Sequence, residues 1–356
     1  LRLAGFQPGN PLERLINHRD DFLGYRMVPG MRESIPGPGG VYQAWTVDLG
    51  FPDGIGFRDD GITPPVDSVF IGDSYVWGYG VELAESLSER YEALTGGDAV
   101  NLGMTSWTSP LQYARVLERY GVPLKPRYAF VEALVQNDFG DLPNFLAWEA
   151  SGSPKSYPEW MTDRVMRYEP DALSYQLRRL LYDHSALGRL LSDRIQFGLG
   201  NSDAPPDDAI AHVTAGGLDL YLNRAEFPDP RAGPDPEQVR LFRQALLTIR
   251  EVAARASIRL VVVVLPTKEL VYQERFPDLA SRAARDWRHD VLLDLLKETG
   301  IPHLDLLPVL RAAAADGGPQ LYFAQDTHWN ARGHDVAARA LDQFVRTRCA
   351  TGRCSP

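Results

Sequence analysis

Apolar residues along the chain gather into short runs separated by longer amphipathic stretches, and that rhythm is the first guide to the fold. Val66-Asp67-Ser68-Val69-Phe70-Ile71 reads as a short buried strand, with Gly72-Asp73-Ser74 at its C-terminal end. Ala99-Val100-Asn101-Leu102, Tyr128-Ala129-Phe130-Val131 and Leu260-Val261-Val262-Val263-Val264 read the same way, and Ile301-Pro302-His303-Leu304-Asp305 gives a less apolar fifth. Helical periodicity fills the intervals, at about 83–95, 109–120, 236–256, 279–299 and 331–347. Strands alternating with helices of this length predict an α/β fold whose parallel sheet is covered on both faces. The unbroken valines at 261–264 fit a central strand buried on both sides.

Two segments break the rhythm. Residues 1–65 are rich in Gly and Pro (Pro29-Gly30, Pro36-Gly37-Pro38-Gly39-Gly40, Pro64-Pro65) and read as a strap of turns and short strands laid over the domain that occupies 66–356. Residues from about 140 to 235 are Trp-, Tyr- and Pro-rich, with an amphipathic stretch near Tyr175 to Ile195. An inserted lid segment beside the sheet is the expectation, since a loop of that length is seldom structureless.

Composition narrows the partners. The 356 residues are 44% hydrophobic and 24% charged, ordinary for a globular protein, with length enough for a full α/β core. A net charge of −10 argues against a nucleic-acid partner, because phosphate binding needs clustered Lys and Arg. No such cluster appears; the best local basic group, Arg346 to Arg353, is short. The longest apolar run, Leu260 to Leu265, falls far short of the roughly 20 residues of a spanning helix, so no membrane span is expected. No leader precedes the strap in this sequence. Cys349 and Cys354 could close a small disulfide loop in an oxidising compartment, or remain two free thiols.

Candidate chemistry sits in three places. Ser74 follows the first parallel strand, where open α/β sheets place their ligands, although Gly, Asp and Ser are also common turn residues. Asp326-Thr327-His328 precedes a helix that Asn330 could cap; a carboxylate beside an imidazole fixes its tautomer and makes it a base for a serine hydroxyl. The plainer readings are that Asp326 is a capping residue and His328 a surface side chain. A metal site of Asp326, His328 and His334 lacks a recognisable ligand spacing. Third come donors for a tetrahedral oxyanion: Gly103 after the second strand and Asn137 after the third. Each alone is a common loop residue; together all three elements follow successive strands.

In order along the chain, Gly72-Asp73-Ser74, Gly103, Asn137-Asp138 and Asp326–His328 resemble the four signature blocks of the SGNH/GDSL hydrolases, over about 66 to 345. The resemblance implies a flavodoxin-like three-layer αβα sandwich without metal or cofactor. It further implies Ser74 as nucleophile, His328 as base and Asp326 as its orienter. The Ser74 N–H, Gly103 N–H and Asn137 amide would form the oxyanion hole. One departure stands out. Asp lies two residues before His rather than three, and Trp329 follows. That form, with Pro266-Thr267-Lys268-Glu269 and Tyr272 after the fourth strand, looks more like the alginate O-acetyltransferase-like branch, although in its best-known members the Asp-x-His element precedes the serine. That branch moves acyl groups to or from polysaccharides outside the cytoplasm, so an extracytoplasmic location is expected.

Tyr75, Trp77, Tyr79, Trp107 and Trp329 lie near these positions in sequence, and Tyr75, Trp77, Trp107 and Trp329 are the candidates for stacking on a sugar; core packing is the plainer role of such rings. Lys268 could bind a substrate anion or simply be solvated. The expectation is a serine esterase or O-acyltransferase acting on an acylated carbohydrate or other small ester. The rival reading is a non-catalytic carbohydrate-binding or assembly module that keeps the fold. A lipase working at a membrane has little support, since no exposed apolar amphipathic stretch stands out.

Overall fold

In the N-terminal strap, β1 (Arg32–Gly37) and β2 (Gly40–Trp45) form an antiparallel hairpin, and the two-residue strands β3 (Val47–Asp48) and β4 (Gly56–Phe57) pair beside it. The computed structural model describes residues 11–16, 18–165, 185, 209–214, 218–223, 233–273, 287–315, 318–349 and 354. Leu23, Tyr25, Met27, Ile55 and Phe57 of the strap are all 0% exposed and join the same core as the sheet. The strap is therefore packed structure rather than a loose wrapping.

The five apolar runs become β5 (Val66–Ile71), β6 (Asp98–Asn101), β7 (Tyr128–Leu134), β10 (Arg259–Leu265) and β11 (His303–Asp305), with β8 (Ala209–Val213) and β9 (Leu220–Asn223) forming a separate antiparallel hairpin. The main sheet runs β11-β10-β7-β5-β6 with every pairing parallel. Renumbered within the sheet, that is the flavodoxin-like 2-1-3-4-5 order, which reverses direction between β5 and β7. β7 and β10 are buried along nearly their whole length, as the valine run requires for strands covered on both faces. Helix Ala331–Arg348 packs on Leu87–Thr95, while Pro110–Val116, Asp138–Ser151 and Trp287–Thr299 pack on Pro236–Arg255. The result is an α/β three-layer sandwich.

The helix predicted over 279–299 is seen as Trp287–Thr299, and residues 279–286 lie outside the described residues, as does most of the amphipathic stretch 175–195. Within the 140–235 segment, the helices Asp138–Ser151 and Tyr157–Val165 and the β8–β9 hairpin are described. Cys349 and Cys354 are disulfide-bonded. Among the described residues no helix is long and apolar enough to cross a membrane.

Candidate active site

The reversal of strand order opens a crevice beyond the carboxyl ends of β5 and β7, and the predicted residues meet there. Asp73 caps the short helix Ser74–Trp77, its Oδ1 accepting the Tyr75 N–H at 2.8 Å. Ser74 is half-buried at the first position of that helix, and its N–H has no acceptor among the described residues. Ser74 Oγ lies 2.7 Å from His328 Nε2. Asp326 Oδ1 lies 2.6 Å from His328 Nδ1 and also accepts the His328 N–H at 2.8 Å. A carboxylate can only accept, so Nδ1 carries the proton and Nε2 is left with a lone pair facing the hydroxyl.

Burial opposes charge on both partners of the Asp326–His328 pair. Their mutual attraction and hydrogen bonds outweigh it, holding the Asp326 carboxyl below the usual range and the His328 imidazole above that of a free histidine. Asp73 adds to the rise of His328, and Lys268 works against it.

The loop bearing the pair is fixed from several directions. Lys268 Nζ donates to Asp326 O at 3.0 Å and to Ala324 O at 3.3 Å. Tyr221 N–H of the β8–β9 hairpin donates to Ala324 O at 2.8 Å, so that hairpin braces the loop bearing His328. Thr327 is held through its Oγ1 on Gln136 Oε1 at 3.1 Å and through its carbonyl, which accepts from the Tyr75 hydroxyl. Upstream, Tyr322 donates to Pro266 O at 2.9 Å and the Tyr272 hydroxyl accepts Leu321 N–H at 3.0 Å. Asn330 caps the following helix, its Oδ1 accepting from Arg332 N and Gly333 N. Lys268 is thus a wholly buried brace rather than a solvated side chain.

Two of the expected oxyanion donors are engaged differently. Asn137 Nδ2 donates to Asp73 Oδ2 at 3.1 Å; a carboxamide has a second hydrogen, which this bond leaves for a substrate oxygen. Gly103 N–H is already given to Asn101 Oδ1 at 2.9 Å, so the structure does not present it as a free donor. Glycine is needed there because a Cβ would stand 2.5 Å from Trp77 N, against the helix Ser74–Trp77.

Three of the four stacking assignments need correction. Tyr75, Trp77 and Trp329 are at most 1% exposed and cannot lay a face on a sugar. Tyr75 packs its ring at 4.7 Å from that of His328 and edge-on to Trp329, so both serve the imidazole's surroundings. Trp77 lies under the guanidinium of Arg58. Trp107 is half-buried at φ 41° and packs with Phe145, Trp148, Tyr157 and Met161. Tyr79 places its ring 4.8 Å from His328. Next to Tyr79 opens a cleft of about 780 Å³, lined among others by Gly39, Gly80, Gln320, Phe323 and Arg332. Phe323 ties it to the His328 loop, since its N–H donates to His328 O at 3.0 Å.

Three charged residues of this region carried no signal in the periodicity. Arg58, 0% exposed, donates to the carbonyls of Trp77, Gly78, Val81 and Gln43, joining the strap to the end of the nucleophile helix. Glu132 and Asp138 are buried, the first on the Asp73 N–H and the second on the Leu134 N–H. Burial first, and then the charge of Asp73, pushes both carboxyls well above their ordinary range. A lone Glu inside the otherwise apolar β7 was the one visible hint. Among the described residues, no group of three His, Cys, Asp or Glu side chains could hold a metal ion.

Over part of its length the chain is similar to SGNH hydrolase-like proteins. A family model described as SGNH hydrolase-like domain, acetyltransferase AlgX, matches residues 220–354, which include Asp326 and His328 but not Ser74. The probable alginate O-acetylase AlgJ of Azotobacter vinelandii is 33% identical over 104 residues, 29% of this chain and 26% of that protein. Its namesake from Pseudomonas putida is 28% identical over 130 residues, 36% of this chain and 33% of that protein. The matched region thus spans about a quarter to a third of the length of these relatives. The family model and the two relatives support an SGNH-superfamily member of the AlgX and AlgJ branch. Among solved structures, a member of the lipolytic G-D-S-L family from Veillonella parvula is similar at a TM-score of 0.40 and 15% identity, covering 79% of this chain and 99% of that one. The lipase/acylhydrolase from Enterococcus faecalis gives 0.37 and 12%, covering 80% and 97%. The fold assignment rests on strand order rather than on these likenesses.

Proposed function

We propose that the protein moves an acyl group, an acetyl, on a carbohydrate or polysaccharide through a serine-bound ester, as an O-acyltransferase or esterase. The observation that carries this reading is the unbroken line Asp326 Oδ1–His328 Nδ1 at 2.6 Å and His328 Nε2–Ser74 Oγ at 2.7 Å. Support for acetyl and polysaccharide comes from the names of the AlgX family model and the AlgJ relatives.

In the first half-reaction His328 Nε2 takes the Ser74 proton as Oγ bonds to the ester carbonyl carbon. The oxyanion so formed is met by the Ser74 N–H and the second hydrogen of Asn137 Nδ2. Gly103 adds a third donor only if Asn101 releases it. As the carbonyl re-forms, the bond to the leaving alkoxide breaks and His328 returns the proton to that oxygen. Asp326 stabilises the imidazolium between these steps. A sugar hydroxyl or water then gives its proton to His328 as it bonds to the acyl carbon, and as the bond to Ser74 Oγ breaks His328 returns that proton to Oγ. The cleft beside Tyr79 and Phe323 is where the carbohydrate would lie. The bonded Cys349 and Cys354 favour an oxidising, extracytoplasmic setting.

Incubation with an acetyl-ester donor, with and without added oligosaccharide, tests the choice of acceptor. Acetylated oligosaccharide supports transfer, and free acetate in both reactions leaves an esterase. Failure to release acetate from any donor by the wild-type chain would remove the reading altogether.

A further inference from the structure

β7 is buried at every position from Tyr128 to Leu134, yet its fifth residue is Glu132, only 2% exposed. A carboxyl in such surroundings is unfavourable unless it is bonded, and what it bonds to is the nucleophile turn. β5 pairs with β7 in the register Ile71 opposite Val131, which sets Gly72 beside Glu132 where the strands leave the sheet. A Cβ on Gly72 would lie 2.1 Å from Glu132 Cγ and Cδ, so the glutamate side chain occupies the room that any other residue at 72 would need. Its Oε1 accepts the Asp73 N–H. The Asp73 carboxylate in turn accepts the Tyr75 N–H at 2.8 Å and Asn137 Nδ2–H at 3.1 Å. One buried carboxyl therefore fixes the residue that precedes Ser74, and that residue orients the amide offered to the oxyanion.

We propose that Glu132 is a positioning residue: by filling the space beside Gly72 and holding the Asp73 N–H, it sets the angle at which Ser74 and Asn137 meet the reacting carbonyl. It touches no substrate atom and acts only through Asp73. The inference rests on Ser74 being the nucleophile.

The test compares Glu132→Met, which fills the space without an acceptor, with Glu132→Gln, which keeps the acceptor oxygen. Each is purified as the full chain and assayed with p-nitrophenyl acetate beside a thermal melt. Misplacing a reacting group by about 1 Å costs on the order of 10²-fold, so Glu132→Met is expected to lose about that much in kcat at nearly unchanged KM, with Glu132→Gln regaining at least about tenfold of it. A wild-type kcat in folded Glu132→Met, or a loss that Gln does not relieve, overturns the proposal. Should Glu132→Met not fold, Gly72→Ala displaces the same carboxyl from the neighbouring strand; a wild-type kcat there overturns it equally. An inactive wild-type chain would take down the serine chemistry and this proposal together, whereas an active wild type with unaffected variants takes down the proposal alone.

Discussion

Around β5 and β7 the nucleophile turn is embedded in buried polar groups: Asp73, Glu132, Asp138 and Arg58 are all at most 3% exposed. Across the crevice, residues 324–328 carry the base on a loop that is half-buried throughout and contains neither helix nor strand. The first side is fixed from within, by side chains of the strands themselves and by Arg58 of the strap. The second is tethered from outside, by Lys268, Tyr75, Gln136 and the β8–β9 hairpin. Disturbing the nucleophile side should therefore cost stability together with activity, while disturbing the base side should cost activity and little stability.

Asn137→Ala gives the largest expected effect. Losing one oxyanion donor lowers turnover by about 10²–10³-fold, so full activity in that variant would remove Asn137 from the site. Arg58→Met breaks the nucleophile side structurally. Buried carbonyls at Trp77 and Val81 lose their donor, while Gly78 O keeps the Val81 N–H, and at roughly 1–3 kcal/mol for each unsatisfied group, chemical denaturation should show a loss of at least about 2 kcal/mol. An unchanged denaturation midpoint would show that the strap does not anchor the helix.

Lys268→Met sharpens the contrast from the other side. Ala324 O keeps its bond from Tyr221, and Asp326 O, on a half-buried loop, loses a donor, so the cost in stability is about 1 kcal/mol. The expected outcome is a fall of about 10–10²-fold in kcat as the base loop drifts, with little change in melting temperature. A large thermal destabilisation would erase the distinction between the two sides.

The smallest effect concerns pH. His328 must be neutral to accept the serine proton, so kcat/KM rises with pH through its pKa, which the Asp326 carboxylate lifts above that of a free imidazole. Asp326→Asn removes that lift, so the acidic limb should move to lower pH even as the maximum falls. A limb that stays in place would mean that Asp326 does not govern the imidazole.

Much of the scaffold was legible along the chain because strand and helix periods are local. The five sheet strands, their parallel sense and the position of Ser74 after the first of them needed only apolar patterning and a turn. The short spacing of Asp326 and His328 made their pairing readable for the same reason. What was not legible depends on partners far away in sequence. Whether Lys268 faces solvent or a carbonyl is decided by a loop nearly sixty residues later. The fate of the Gly103 N–H turns on the rotamer of Asn101, which no pattern encodes. Tyr75, Trp77 and Trp329 look alike as surface platforms or core rings in sequence, and only packing showed them beneath the imidazole and Arg58. Arg58 gives no signal in the sequence because its burial depends on four carbonyls that converge from separate segments.

The central claim, that His328 activates Ser74, is tested most directly by mass spectrometry of the chain after exposure to a serine-directed phosphonate. The adduct should sit on Ser74 in the wild-type chain and be strongly reduced in His328→Ala. Absence of an adduct from the wild type, or equal labelling in both chains, would contradict the account.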